Sequence, residues 1–280
     1  MGLDLVVIDL DETLLRHDKT YDRAWFARIK EGLLRQSALI MIATGNSYHK
    51  VIDYFTDEER QDIYFATDNG NYIVKNEEDI YSTLIDKEIV LPALKYIENQ
   101  EGWYSIVSDG QVTYFLQQKQ DIMEKFRRFN NNTQVLDSYE DLPKGFRATK
   151  ISISSEFDLE KNKGLAKQLG NHFPQTHIVT SGGGWLDMIS NQGGKGRAVQ
   201  YLEDKYAINR NQAMAFGDSL NDLSMMELVG FSVAMGNADP ELVRSCKYQI
   251  GSNEDQAVLK VLDQYLQDSR LDYMQEYLIK

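Results

Sequence analysis

Four short, nearly unbroken apolar runs, LDLVVIDLD, ALIMIATGN, IYFATDNG and AMAFGDSLND, each stop at a cluster of polar residues. A run without alternation has to bury both of its faces, which a strand does when helices cover its sheet on either side. Helical periodicity over residues 20 to 36 and 196 to 207 supplies such helices between the runs. The chain is therefore expected to be α/β, with a Rossmann-like, doubly wound core of mostly parallel strands. In open sheets of this kind ligands gather beyond the carboxyl ends of the strands, so four polar clusters far apart in sequence are expected to converge.

Between Thr83 and Asp187 the texture changes. A hairpin is expected from Tyr104 to Ser108, through Asp109 and Gly110, to Val112 and Leu116, and KISISS alternates as a strand with one polar face would. Helical stretches near 87 to 99, 120 to 129 and 158 to 171 are expected to cover one face of the resulting sheet. Residues 83–187 thus read as an α+β domain inserted into a core made of 1–82 and 188–280. Gly182, Gly183 and Gly184 form a loop where the insertion rejoins the core, and they suit a hinge for domain closure. The closing residues QYLQDSRLDYMQEYLIK read as a terminal amphipathic helix.

Charge and cysteine content narrow the function classes. With 43 acidic against 30 basic residues the net charge is -13, which opposes broad contact with nucleic acid. It does not oppose a small anionic substrate, because a few lysines and backbone N–H groups make one pocket positive on an acidic surface. Cys246 stands alone, so neither an intramolecular disulfide nor a cysteine zinc site is available, and a reducing compartment fits. The first residues lack a basic leader, and no apolar run approaches the ~20 residues needed to span a bilayer, so a cytoplasmic location is expected. Nothing in the sequence sets the oligomeric state.

The chemistry-bearing residues sit at the ends of the runs. Asp9 and Asp11 in DLDET are two apart where the chain leaves extended geometry, so both can serve one site, one as nucleophile and one as proton donor. Taken alone, the pair also fits acids capping a turn. GDSLND adds Asp218, Asn221 and Asp222; hard oxygen ligands suit Mg2+, which takes one or two protein carboxylates and keeps several waters. Asp9 with Asp218 is the expected direct pair, with Asp222 acting through water. Thr44 and Gly45 offer a hydroxyl and an unhindered N–H to phosphate oxygens. Lys195 in NQGGKGRAV can neutralise phosphate, but this is no P-loop: Ile189 stands where the first glycine belongs and Gly196 replaces the Ser or Thr. His17, His49, His172 and His177 share no metal-ligand spacing.

In this order, DLDET, ATG, the GGKG lysine and GDSLND resemble motifs one to four of the haloacid dehalogenase superfamily. The long insertion after the second motif and the run VAMGNADPELV are similar to the Cof-type, subfamily IIB phosphatases, whose α+β cap selects substrate. The resemblance implies that Asp9 is the nucleophile and Asp11 the general acid that later activates water. It implies that Thr44, Gly45, Lys195 and Asn221 bind phosphate. Mg2+ would be held by Asp9, the carbonyl of Asp11 and Asp218, with Asp222 supporting. The chain departs from the pattern at Glu12, where members often carry Gly, and at Asn46, where they often carry Arg; no role is assigned to position 46. The implied activity is hydrolysis of a small phosphorylated metabolite. A phosphomutase on the same scaffold and a non-catalytic sensor of phosphorylated ligands are the alternatives.

Overall fold

A computed structural model of the chain describes residues 2–155, 159–180, 185–268 and 270–279. Gly182 to Gly184, read from sequence as a loop where the insertion rejoins the core, lie outside the described residues. The first five strands are β1 (Leu5–Ile8), β2 (Leu39–Ala43), β3 (Ile63–Thr67), β4 (Tyr72–Lys75) and β5 (Glu78–Ser82). Next come β6 (Trp103–Ser108), β7 (Thr113–Leu116), β8 (Thr133–Leu136), β9 (Lys150–Ser155), β10 (Thr176–Thr180) and β11 (Trp185–Ser190). The last three are β12 (Ala213–Gly217), β13 (Phe231–Ala234) and β14 (Tyr248–Gln249).

One sheet has the order β14-β13-β12-β1-β2-β3-β4-β5, parallel from β14 to β3 with β4 and β5 antiparallel at its edge. The four apolar runs are β1, β2, β3 and β12, and all four are consecutive neighbours at the centre. Each is buried on both faces, which is why alternation is missing from their sequences. Leu5, Val7, Met41, Ala43 and Ala215 meet Ala198, Val199 and Leu202 of the helix Lys195–Tyr206. On the opposite face Val6, Ile8, Ile40, Ile42 and Phe216 meet Phe26, Ile29 and Leu33 of the helix Arg23–Arg35 and Val258, Leu262 and Tyr265 of the helix Ala257–Asp268. The first of these helices starts where it does because the Asp22 side chain accepts from the Trp25 N–H, satisfying an orphan donor of its first turn.

The second sheet, β10-β11-β9-β6-β7-β8, is antiparallel except between β7 and β8. Its packing corrects one expectation and moves one boundary. Helices Lys87–Glu98 and Leu159–His172 do share one face, against Val107, Ile151, Ile153, Leu186 and Met188. Helix Gln120–Phe129 instead packs through Ile122, Met123 and Phe126 on Ile106 and Phe115, the opposite face, because its apolar stripe matches the other parity of β6 and β7. The resumption of the core expected at residue 188 falls inside β11, which pairs with β10 as far as Ser190, so we place the end of the insertion there. The expected single terminal helix stops at Asp268; Asp272–Tyr277 is a separate 3-10 turn, and Leu278 bridges to Tyr248 at the sheet edge. Among the described residues no helix is long and apolar enough to cross a membrane.

Candidate active site

The site begins where β1 ends. The Asp9 N–H still donates to the Phe216 carbonyl at 3.0 Å, so Asp9 is held in line with β12. The chain then curls, with Leu14 N–H donating to the Asp9 carbonyl (3.3 Å) and Leu15 N–H to the Leu10 carbonyl (2.9 Å). Glu12 carries the curl at φ +58°, a left-handed backbone that suits glycine and explains why that residue type is common at this position in the sequences the motif resembles. Here the glutamate is retained by neighbours: Asn237 donates to its carbonyl at 2.9 Å and Asn253 to its carboxylate at 3.2 Å.

Three carboxylates gather across the strand ends. Asp9, Asp218 and Asp222 each offer an oxygen, all within 4.8 Å of one another. Beneath them Lys195, 1% exposed, donates to Asp9 Oδ1 at 2.6 Å and to Asp222 Oδ1 at 2.5 Å. Asp222 spends its other oxygen on the N–H groups of Asp218 (3.0 Å) and Ser219 (3.1 Å), so it fixes both the lysine and the loop that presents Asp218. Thr13 donates to Asp218 Oδ1 at 3.1 Å. Lys195 opens its helix after Gly194, whose φ of +109° only glycine adopts without strain, and a Cβ on Gly196 would lie 2.5 Å from the Ser224 carbonyl oxygen. The glycines flanking the lysine are thus demanded by backbone geometry.

The electrostatics of the cluster are unbalanced. Burial pushes the Asp9 carboxyl well above its ordinary range, with Asp222 and Asp218 adding repulsion that Lys195 only partly offsets. Asp218 is pushed up to about 7, first by burial and then by Asp222. Burial would lower the Lys195 ammonium, but Asp222 and Asp9 outweigh it and hold the group above its usual value. One ammonium among three carboxylates leaves a surplus of negative charge on hard oxygen donors, the environment that a small divalent cation fits.

A cleft of about 700 Å³ opens above this cluster, between the two sheets. Asp9, Asp11, Thr44, Gly45, Asn221 and Asp218 line it, while Lys195 and Asp222 lie buried under its floor. All the residues singled out by sequence are therefore brought to one place. Thr44 and Gly45 follow β2, and the Thr44 hydroxyl accepts from the Asn46 N–H at 3.2 Å. Asn221 donates to Asn69 at 3.0 Å and accepts from Ser219 at 2.6 Å. The Asp11 carboxylate, more exposed than Asp9, accepts from Asn46 Nδ2 (2.5 Å) and Lys19 Nζ (2.9 Å).

Sequence reasoning missed several participants. Asn46 was given no role, yet its amide holds Asp11. Asn69 lies in the ATDNG cluster closing β3, so its signal was the same strand-end polarity that marked the others; its Nδ2 donates to Asp187 at 2.7 Å. Lys150 and Asp187 come from β9 and β11, and each reads in sequence as one polar position of an alternating strand. Pairing puts Ile106, Ser152 and Asp187 in one row across β6, β9 and β11, and this row forms the wall of the cleft opposite the carboxylates.

Comparison with known proteins bears on the family and the fold. The family model described as haloacid dehalogenase-like hydrolase matches residues 6–262. A 5-amino-6-(5-phospho-D-ribitylamino)uracil phosphatase of Escherichia coli is 27% identical over 267 residues, spanning 95% of this chain and 97% of its own. A crystal structure of a Streptococcus mutans protein superposes with a TM-score of 0.87 at 25% identity, covering 95% of this chain and 100% of that one. The structure of a subclass IIB sugar phosphatase shares the fold, with a TM-score of 0.79 at 21% identity over 94% of this chain and 98% of its own.

Proposed function

The chain belongs to the haloacid dehalogenase-like hydrolases and is a phosphatase, and from that premise we propose that it hydrolyses a small phosphomonoester through an aspartyl-phosphate on Asp9, with Mg2+ as cofactor. The observation that carries this reading is the gathering of Asp9, Asp218 and Asp222 around Lys195 on the floor of a cleft that Asp11 and Thr44 also line.

Asp9 and Asp218 are the direct carboxylate ligands in this reading, with the Asp11 carbonyl beside them and Asp222 supporting. When bound, the cation would neutralise the surplus carboxylate charge and draw the phosphoryl oxygens toward Asp9. Lys195 fixes Asp9 Oδ1 and adds positive charge under the phosphoryl group. Thr44, Gly45 and Asn221 align the phosphoryl oxygens. A carboxylate oxygen of Asp9 bonds to phosphorus as the ester P–O bond breaks, and Asp11 gives its proton to the departing oxygen. Asp11, now a carboxylate, takes a proton from water as the water oxygen bonds to phosphorus and the bond to Asp9 breaks. The products are the alcohol and inorganic phosphate, and both aspartates return to their starting states. Alignment and charge neutralisation are what phosphoryl transfer demands of a protein, and this set supplies both.

The E. coli relative's name puts a ribityl phosphate carrying a pyrimidine ring first among substrates, and the aromatic Trp185 is part of the cleft wall. The test is a phosphate-release screen over phosphorylated sugars, nucleotides, cofactors and that ribityl phosphate, run with Mg2+, with chelator and with Asp9→Asn. Release that requires Mg2+ and Asp9 is expected. Isomerisation without net phosphate release, or turnover unaffected by Asp9→Asn, would overturn the reading.

A further inference from the structure

Lys150 is a cleft lysine that reaches from the second sheet into the loop carrying Thr44 and Gly45. It is 7% exposed, and its Nζ donates to the Gly45 carbonyl at 2.6 Å. Asp68 Oδ1 lies 3.5 Å away and Asp187 Oδ2 3.7 Å away. Both carboxylates are themselves anchored. Ser108 and Thr149 donate to Asp68 at 2.8 and 2.7 Å, while Ser152 and Asn69 donate to Asp187 at 2.5 and 2.7 Å. Burial alone would lower the Lys150 ammonium, but Asp187 and Asp68 more than offset it and keep the group charged. A buried, charged, doubly countered side chain with one short bond to a backbone carbonyl has a fixed position.

What that bond fixes follows from peptide planarity. The Gly45 carbonyl and the Asn46 N–H belong to one trans peptide, so holding the oxygen sets the direction of the hydrogen. That hydrogen is donated to the Thr44 hydroxyl oxygen at 3.2 Å, which leaves the hydroxyl's own proton available for donation to another acceptor. The next side chain, Asn46, holds Asp11 at 2.5 Å.

We propose that Lys150 is a positioning residue through which the inserted sheet sets the orientation of the Gly45–Asn46 peptide, and with it the phosphate-donating Thr44 hydroxyl and the Asp11 carboxylate. The proposal rests on the phosphatase reading above. It makes the insertion part of the phosphoryl site as well as a wall for the substrate's organic portion.

Lys150→Met separates these roles when assayed on the preferred substrate and on acetyl phosphate or p-nitrophenyl phosphate, whose small or flat leaving groups make few contacts with the insertion. Loss of alignment is expected to lower kcat/KM about tenfold to a hundredfold, on the small phosphates as well as on the preferred substrate. The inhibition constant of inorganic phosphate should weaken in parallel, and Lys150→Arg should recover part of the loss. Kinetics within twofold of wild type on all these substrates would overturn the proposal, as would a loss confined to the preferred substrate. Should Lys150→Met fail to fold, the double variant Lys150→Met/Asp68→Asn removes one of the two carboxylates left without their ammonium, and the same kinetic pattern is required of it. Wild-type protein that releases no phosphate from any ester would instead defeat the phosphatase reading itself.

Discussion

Replacing Asp218 by Asn should destroy activity and, in the absence of divalent cation, stabilise the fold. In the native state the Asp218 carboxyl is pushed up from 3.8 to about 7 by burial and by Asp222. Between those two values the folded protein holds a proton that the unfolded chain has already released. Stability conferred by that proton is therefore complete below 3.8, falls as pH rises through the window, and is lost above about 7. A gap of about 3 pH units at ~1.36 kcal/mol each gives at most ~4 kcal/mol, because the three carboxylates share protons. Asn keeps an oxygen to accept from Thr13 and carries no charge, so it should recover this amount at alkaline pH. For a chain of this size the gain corresponds to a shift in Tm of at most roughly 8–16 °C. Differential scanning calorimetry of chelator-treated wild type and Asp218→Asn at about pH 5 and about pH 8 reads it directly. The variant's advantage should grow with pH, and millimolar Mg2+ should raise the Tm of wild type but not of the variant. A variant less stable than wild type at the higher pH, or an advantage independent of pH, would refute the reasoning.

Other perturbations test separate links. Asp9→Asn should lower kcat roughly a thousandfold or more while far-ultraviolet circular dichroism is unchanged, because it removes the nucleophile. Lys195→Met should cost about 3–5 kcal/mol in a urea titration, since it strands buried carboxylates, and Mg2+ should restore part of the loss. Ala207 ends the helix Lys195–Tyr206 in a left-handed conformation at φ +53°, so Ala207→Gly should stabilise by about 1 kcal/mol with kinetics unaltered.

Much of the molecule was legible from one dimension because its cause is local. An unbroken apolar run can only be a doubly covered strand, so β1, β2, β3 and β12 and the convergence of their carboxyl ends followed from hydrophobic pattern and the general rule for open sheets. Asp9 and Asp218 were marked by their place at strand ends, and Lys195 by its place between Gly194, which has a positive φ, and Gly196, which packs closely against Ser224. Glu12 and Asn46 stood out as departures, but only the curl at φ +58° and the bond to Asp11 said what each does.

Tertiary structure alone decided which charges share an environment. Lys150 and Asp187 are 37 residues apart by their numbering, on strands whose alternation distinguishes a polar face from an apolar one and nothing more. Only the pairing of β11 with β9, and the folding of that sheet over the first, brings them to Asn69 and Gly45. The face chosen by helix Gln120–Phe129 was undetermined for the same reason, since parity along a strand is fixed but its partner is not. Hydrophobic period sets what each segment becomes, whereas the meeting of segments is a property of the packed whole, and the chemistry of this cleft lies in those meetings.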